Sequence, residues 1–199
     1  MAMHPSRQAA LGLAPGPAPA ARGNLQTSKG KQPERPYIGP WSSHALDAAS
    51  HGAIAFCQIY YEAYDEPTRR DTEIPQLFLP QAKVVWNGNP VPADLPNFMG
   101  FLKGVPLSRH DLQTLDCHPI PVLDPAAPPS SAPDIIVNVT GSVLHGPHVL
   151  AGFNDAQATH APQNHPRKFH EMFMLRAAEQ GEGMQPKYAI HSSNFRFIG

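Results

Sequence analysis

Apolar positions along this chain change their period partway through. From Leu46 to Tyr64 they recur every three or four residues, as Leu46, Ala49, Ala53, Phe56, Cys57, Tyr60 and Tyr64. That spacing collects them on one face of a helix. Ser42 is placed to cap it, Trp41 and Leu46 are placed to staple its start, and Pro67 stops it. A second, short helix is predicted over residues 69–77, ahead of Pro80. A third is predicted over 95–102, where Leu95, Phe98, Met99 and Leu102 share a face. Between them, 82–86 reads as a strand, and Asn87-Gly88 as the tight turn of a hairpin, because both residues tolerate positive φ.

From His110 onward the period is two. Strands are predicted over 111–122, 134–144, 168–177 and 187–197. A connection rich in Pro, Ser and Ala (124–133) and a long polar loop (146–167) interrupt them. Loops of that length tend to be functional or disordered. Helices followed by a run of antiparallel strands make an α+β domain. The alternation between 169 and 175 puts Phe169, Phe173 and Leu175 on one face and His170, Met172 and Met174 on the other. Glu171 is the lone charge inside the run. Ile135, Val137, Val139 and Val143 form a second apolar face, backed by uncharged Asn138, Thr140 and Ser142. A sheet with one wet face should alternate apolar with charged residues. Helices can cover one side here, and the other side is left for a second subunit.

Residues 1–40 lack such a pattern. Seven prolines punctuate a stretch of Ala, Gly and Ser, with Arg7, Arg22, Lys29, Lys31 and Arg35 against Glu34. A segment of this kind cannot bury enough surface to order itself, so a disordered tail is expected, with the folded domain spanning 41–199. The prolines from Pro15 to Pro19 argue against the amphipathic helix of a transit peptide, and no apolar core of a signal peptide follows Met1.

Composition narrows the function. No run approaches the length of a membrane span, so no membrane insertion is expected. A net charge of −1 gives no basic face for a phosphate backbone. Cys57 and Cys117 lie in apolar patterns and read as reduced core thiols, which fits cytosol or nucleus. Eleven histidines include several near the long loop, but none has the spacing of a metal site, and no cofactor is implied. Asp116 and His118 share a strand face, and Tyr60, Tyr61 and Tyr64 share a helix, which raises the alternative of an acid–base enzyme. Trp86 and Asn87-Gly88 are read as structural.

The motifs FCQIYY (56–61) with Asp65, VVWNGN (84–89), LDCHPI (115–120), FHEMFML (169–175) and NFRF (194–197), in that order, resemble the nuclear transport factor 2-like family over 41–199. Each is weak alone; five in sequence are specific. The resemblance implies a cone, in which a curved antiparallel sheet packs on N-terminal helices. VWNGN, DCxP and the terminal FRF look most like the small subunit of the heterodimeric mRNA export receptor. The inserted loop is similar to the fungal form, called mRNA transport regulator. By resemblance the chain is a non-catalytic subunit that stabilises the large subunit's paralogous domain and helps bind phenylalanine-glycine nucleoporins. It would shuttle between nucleus and cytoplasm through the pore, with ribonucleoprotein cargo reached through the complex. The interface residues so implied are Phe195, Arg196, Phe197, His170, Met172 and Met174. Arg196 matches the arginine that pairs with an acid of the large subunit. A homodimeric transport carrier and a pocket enzyme of the same fold are the alternatives. The carrier's acidic cluster for Ran·GDP has no counterpart at Leu144-His145-Gly146-Pro147-His148, so Ran·GDP is not an expected partner.

Overall fold

The computed structural model describes residues 41–122, 126, 132–150, 165–177 and 186–198. The expected tail, most of the 124–133 connection and most of the long loop fall outside them.

Helix α1 (Ser43–Asp65) begins where its cap dictates: the Ser42 hydroxyl oxygen accepts the Ala45 N–H at 3.2 Å. Its buried face is Ala49, Ala53, Phe56, Cys57, Tyr60 and Tyr64, whereas Leu46 stays 44% exposed. The apolar stripe therefore starts a turn later than the periodicity suggests. Glu66 leaves helical geometry before Pro67, as a residue preceding proline must, and its carboxylate caps α2 (Pro67–Glu73). The predicted second helix ends as a 3-10 turn, Ile74–Leu77.

Strand β1 (Phe78–Trp86) starts four residues before the predicted one and runs through Pro80. Its ladder with β6 (Tyr188–Phe197) is irregular between Phe78 and Lys83, which is where a residue without an N–H can sit. Asn87 (φ 46°) and Gly88 (φ 83°) turn the chain into β2 (Asn89–Val91), with Trp86 paired to Asn89. Helix α3 (Leu95–Gly104) is capped by Asp94 and buries Phe98 and Leu102. The rest of the sheet is β3 (Ser108–Ile120), β4 (Asp134–His145) and β5 (Arg167–Ala177). A short 3-10 helix, Pro147–Leu150, opens the long loop.

The order across the sheet is β2-β1-β6-β5-β4-β3. Neighbours are antiparallel except β1 and β6, which run parallel, so the expected antiparallel sheet is in fact mixed. Alternation along one strand carries no information about the direction of its neighbour, which is why this pairing was not foreseen. Helix α1 lies against the inner face. Phe56 and Tyr60 pack edge-on to Phe173, at 5.3 and 4.9 Å between ring centroids. Trp86 stacks on Phe195 at 4.0 Å and reaches Tyr64, so the hairpin tryptophan is a core anchor as expected.

Candidate functional site

The inner face of β5 carries Phe169, Glu171, Phe173 and Leu175, all buried. Glu171 is thus a carboxyl group in the aromatic core. The Tyr61 hydroxyl donates to its Oε2 at 2.9 Å and the Tyr60 hydroxyl to its Oε1 at 3.3 Å. Burial pushes the carboxyl up to about 8, and the two phenols offset only part of that. Tyr60, Tyr61 and Tyr64 are raised in turn, first by burial and then by the charge of Glu171. The adjoining cavity, lined by Tyr60, Tyr64, Trp86, Glu171, Ser193 and Phe195 among others, holds about 10 Å³. That is near the space of a single water, so the Glu171 carboxyl and the Tyr60 and Tyr64 phenols have no room for a substrate in this cavity.

A second cluster ties the end of α1 to β3. Asp65 accepts the His110 N–H at 2.7 Å and the Ser108 hydroxyl at 2.8 Å, and its Oδ1 lies 2.6 Å from His110 Nδ1. Burial raises the Asp65 carboxyl, but these hydrogen bonds and the imidazole charge outweigh it and hold it low. Buried Arg70 completes the lock, donating to Ser108 and to the carbonyls of Tyr64, Val105 and Pro106. An open groove of about 490 Å³ passes this cluster between α1 and β3. The His110 ring is only 2% exposed and faces its own aspartate, so the pair acts as a structural clasp.

Asp116 and His118, the sequence's other acid–base candidates, do share a face. Their 3.1 Å contact is about two-thirds exposed (67% and 68%) on edge strand β3, and neither residue lines the interior cavity or the groove between α1 and β3. Cys57 is buried and Cys117 half-buried, and both are free thiols. Burial raises Cys57 to about 12, which leaves it unreactive.

The outer face is built differently. Strand register lines its side chains into three cross-strand rows. One is Thr114, Thr140, His170, Arg196. The next is Asp116, Asn138, Met172, Asn194, Val85. The third is His118, Ile136, Met174, Ser192, Lys83. Each of these residues flanks buried inner-face neighbours on β4, β5 and β6, which confirms its outward direction. In these rows the only acid is Asp116, at the β3 edge. Ile136, Met172, Met174 and Val85 form the apolar middle, half-buried within the chain itself.

His170, Met172, Met174 and Arg196 therefore come together on one outward surface. Phe195 does not join them. It is 1% exposed, on the inner face opposite Glu171, and cannot meet a partner. Phe197 points the same way, half-buried at the rim, 5.2 Å from Phe195 and beneath the Arg167 guanidinium at 3.5 Å. Phe195, Arg196 and Phe197, all implied as interface residues by the resemblance, do not share one face. In a strand the two phenylalanines must face away from the arginine between them. Sequence reasoning also left Asn138 and Asn194 out of the site. Their shared parity with Met172 on adjoining strands was the available signal, once the register was known.

This fold, with a closed aromatic interior and an outer sheet face charged only toward its margins, is that of the nuclear transport factor 2-like proteins, and the chain belongs to that family. Its branch is the one described as nuclear pore RNA shuttling protein Mtr2, whose family model matches residues 48–146, about half of the chain. The human NTF2-related export protein 2 is 36% identical over 75 residues, which are 38% of this chain and 50% of the relative. The chain thus spans half the length of that curated relative. The Caenorhabditis elegans NTF2-related export protein is 27% identical over 143 residues, 72% of this chain and 83% of the relative. Among solved structures, the Chaetomium thermophilum Mex67 NTF2-like domain complexed with Mtr2 has the same fold, with a TM-score of 0.52 at 21% identity. That match covers 76% of this chain and 99% of the other.

Proposed function

We propose that this chain is the small, non-catalytic subunit of a heterodimeric mRNA export receptor. It docks the outer face of its sheet on the nuclear transport factor 2-like domain of a large subunit. The observation that carries this reading is the outer face itself, whose middle row is uncharged across four strands around apolar Ile136, Met172, Met174 and Val85, while helices pack on the inner face. A stable obligate pairing buries roughly 2,000 Å² or more in total, and a face of this breadth suits it. The Chaetomium thermophilum complex of a Mex67 NTF2-like domain with Mtr2, which shares the fold, supports a partner of that kind. The sealed Glu171 site supports binding rather than catalysis.

Docking would stabilise the paralogous domain, and the joint surface would take phenylalanine side chains of nucleoporin repeats. The working location is then the nucleus, the cytoplasm and the pore between them. Arg196 lies exposed beside His170 at the end of the first row. A guanidinium there is suited to an acid on the partner, because its fork matches a carboxylate.

The test is co-expression with the large subunit's domain, read by light scattering and titration calorimetry. A 1:1 complex is expected, and Arg196→Ala should weaken it by about tenfold or more, at least ~1.4 kcal/mol. Separate elution of the two chains would overturn the reading. An unchanged Kd for Arg196→Ala would remove Arg196 from the interface.

A further inference from the structure

Toward β3 the outer face settles its own polar groups. The Thr114 and Thr140 hydroxyls bond to each other, and Asp116 holds His118. Asparagines elsewhere are also occupied: Asn97 donates to Asp94 at 3.0 Å, and Asn89 donates to the Asn87 carbonyl at 3.2 Å. Asn138 and Asn194 differ. Neither amide makes a hydrogen bond to any described residue. Both stand in strand interiors, where asparagine is a poor choice and valine or threonine would serve a solvated face better. Register places them on either side of Met172, Asn138↔Met172 and Met172↔Asn194, in the middle row of the face. A residue that contradicts local preference without a cap, turn or internal partner marks a place where function sets the choice.

We infer that Asn138 and Asn194 are the specificity-determining residues of this face, a pair of amides flanking Met172 that the partner domain must meet with its own donors and acceptors. The inference rests on the docking reading above and names what that docking selects. An amide presents two donors and a carbonyl acceptor. A partner with a wholly apolar face would bury both amides unmet and be rejected, whereas apolar contacts around Met172 and Met174 accept any surface of the right shape. The fitting partner is a paralogous sheet-bearing domain with polar groups at mid-face. It would carry acids over the β6–β1 side, where the rows end in Arg196 and Lys83 with no acid beside them.

Leucine is close to asparagine in size and adds apolar surface, so Asn138→Leu and Asn194→Leu separate polar reading from simple burial. The full chain and the two variants, single and combined, are titrated with the purified domain of the large subunit. The double variant is expected to lose about thirtyfold or more in affinity while keeping the wild-type melting temperature, as two buried amides leave their partners unmet. Equal or tighter binding by the double variant would overturn the inference, since the face would then be read as apolar surface alone. Should leucine lower the melting temperature, Asn138→Thr and Asn194→Thr, better strand formers, are measured in its place with the same two outcomes. If the wild-type chain forms a homodimer that the leucine variants disrupt, the amides select a second copy and the heterologous partner is wrong. If the wild-type chain does not bind the domain at all, the docking reading fails before the asparagines come into question.

Discussion

Glu171 occupies a position where the alternation of β5 would place another phenylalanine, and two phenols meet its carboxyl. Its proton has a thermodynamic consequence. Below the ordinary value of 4.5, folded and unfolded chains both hold it; between there and about 8 only the folded chain does. Stability from this group is thus complete below about pH 4.5 and falls as pH rises toward 8, at roughly 1.4 kcal/mol per pH unit. Glu171→Gln keeps an acceptor for the tyrosines and cannot ionise. Its chemical denaturation midpoint should vary less with pH over that window and exceed the wild-type value at pH 8. Parallel pH profiles for the two proteins would show that Glu171 is not the titrating group. The residue was visible in the sequence as the lone charge among Phe169, Met172 and Phe173. Its tyrosine partners, some 110 positions away, were not, since pairing at that range depends on how α1 lies on the sheet.

At the scale of elements, the helices and strands were largely legible because cap, turn and period agreed. Ser42 and Pro67 bound α1, and Asn87-Gly88 joins β1 to β2, as their chemistry requires. What the pattern did not show was that β1 and β6 run parallel, and alternation along β6 turns Phe195 inward rather than to a surface. The hairpin turn offers a clean test. Gly88 has open space around it but a φ of 83°, so Gly88→Val is strained by backbone alone. A loss of about 1–2 kcal/mol is expected by denaturant titration. Gly141 is the opposite case. It faces the bulge of β3 between Leu112 and Thr114, where an added Cβ would strike the Asp111 carbonyl oxygen and the Phe169 ring at 2.9 Å. Gly141→Ala should cost about 1–3 kcal/mol through crowding. Wild-type stability for either variant would contradict the geometry.

For the molecule as a whole, one sheet side is covered by its own helices, and the proposed docking covers the other. That division was readable from the sequence as an uncharged run at 138, 140 and 142 behind an apolar one, before any pairing was known. Its expected sign in solution is hydrogen exchange. Backbone amides in β4 and β5 should gain protection when the large subunit's domain is added, while those of α1 keep the protection they already have. Equal gains over α1 and the sheet would instead point to global stabilisation without docking at the outer face.

The place of β6 has a bearing on biosynthesis. Strand β6, which follows the other described strands in sequence, is not at the margin of the sheet but between β1 and β5. Until it emerges, the nascent chain holds two separate ribbons with bare edges, the kind of intermediate that aggregates unless shielded. Closure waits for β6, so cellular yield should depend on chaperones that hold the chain through that interval.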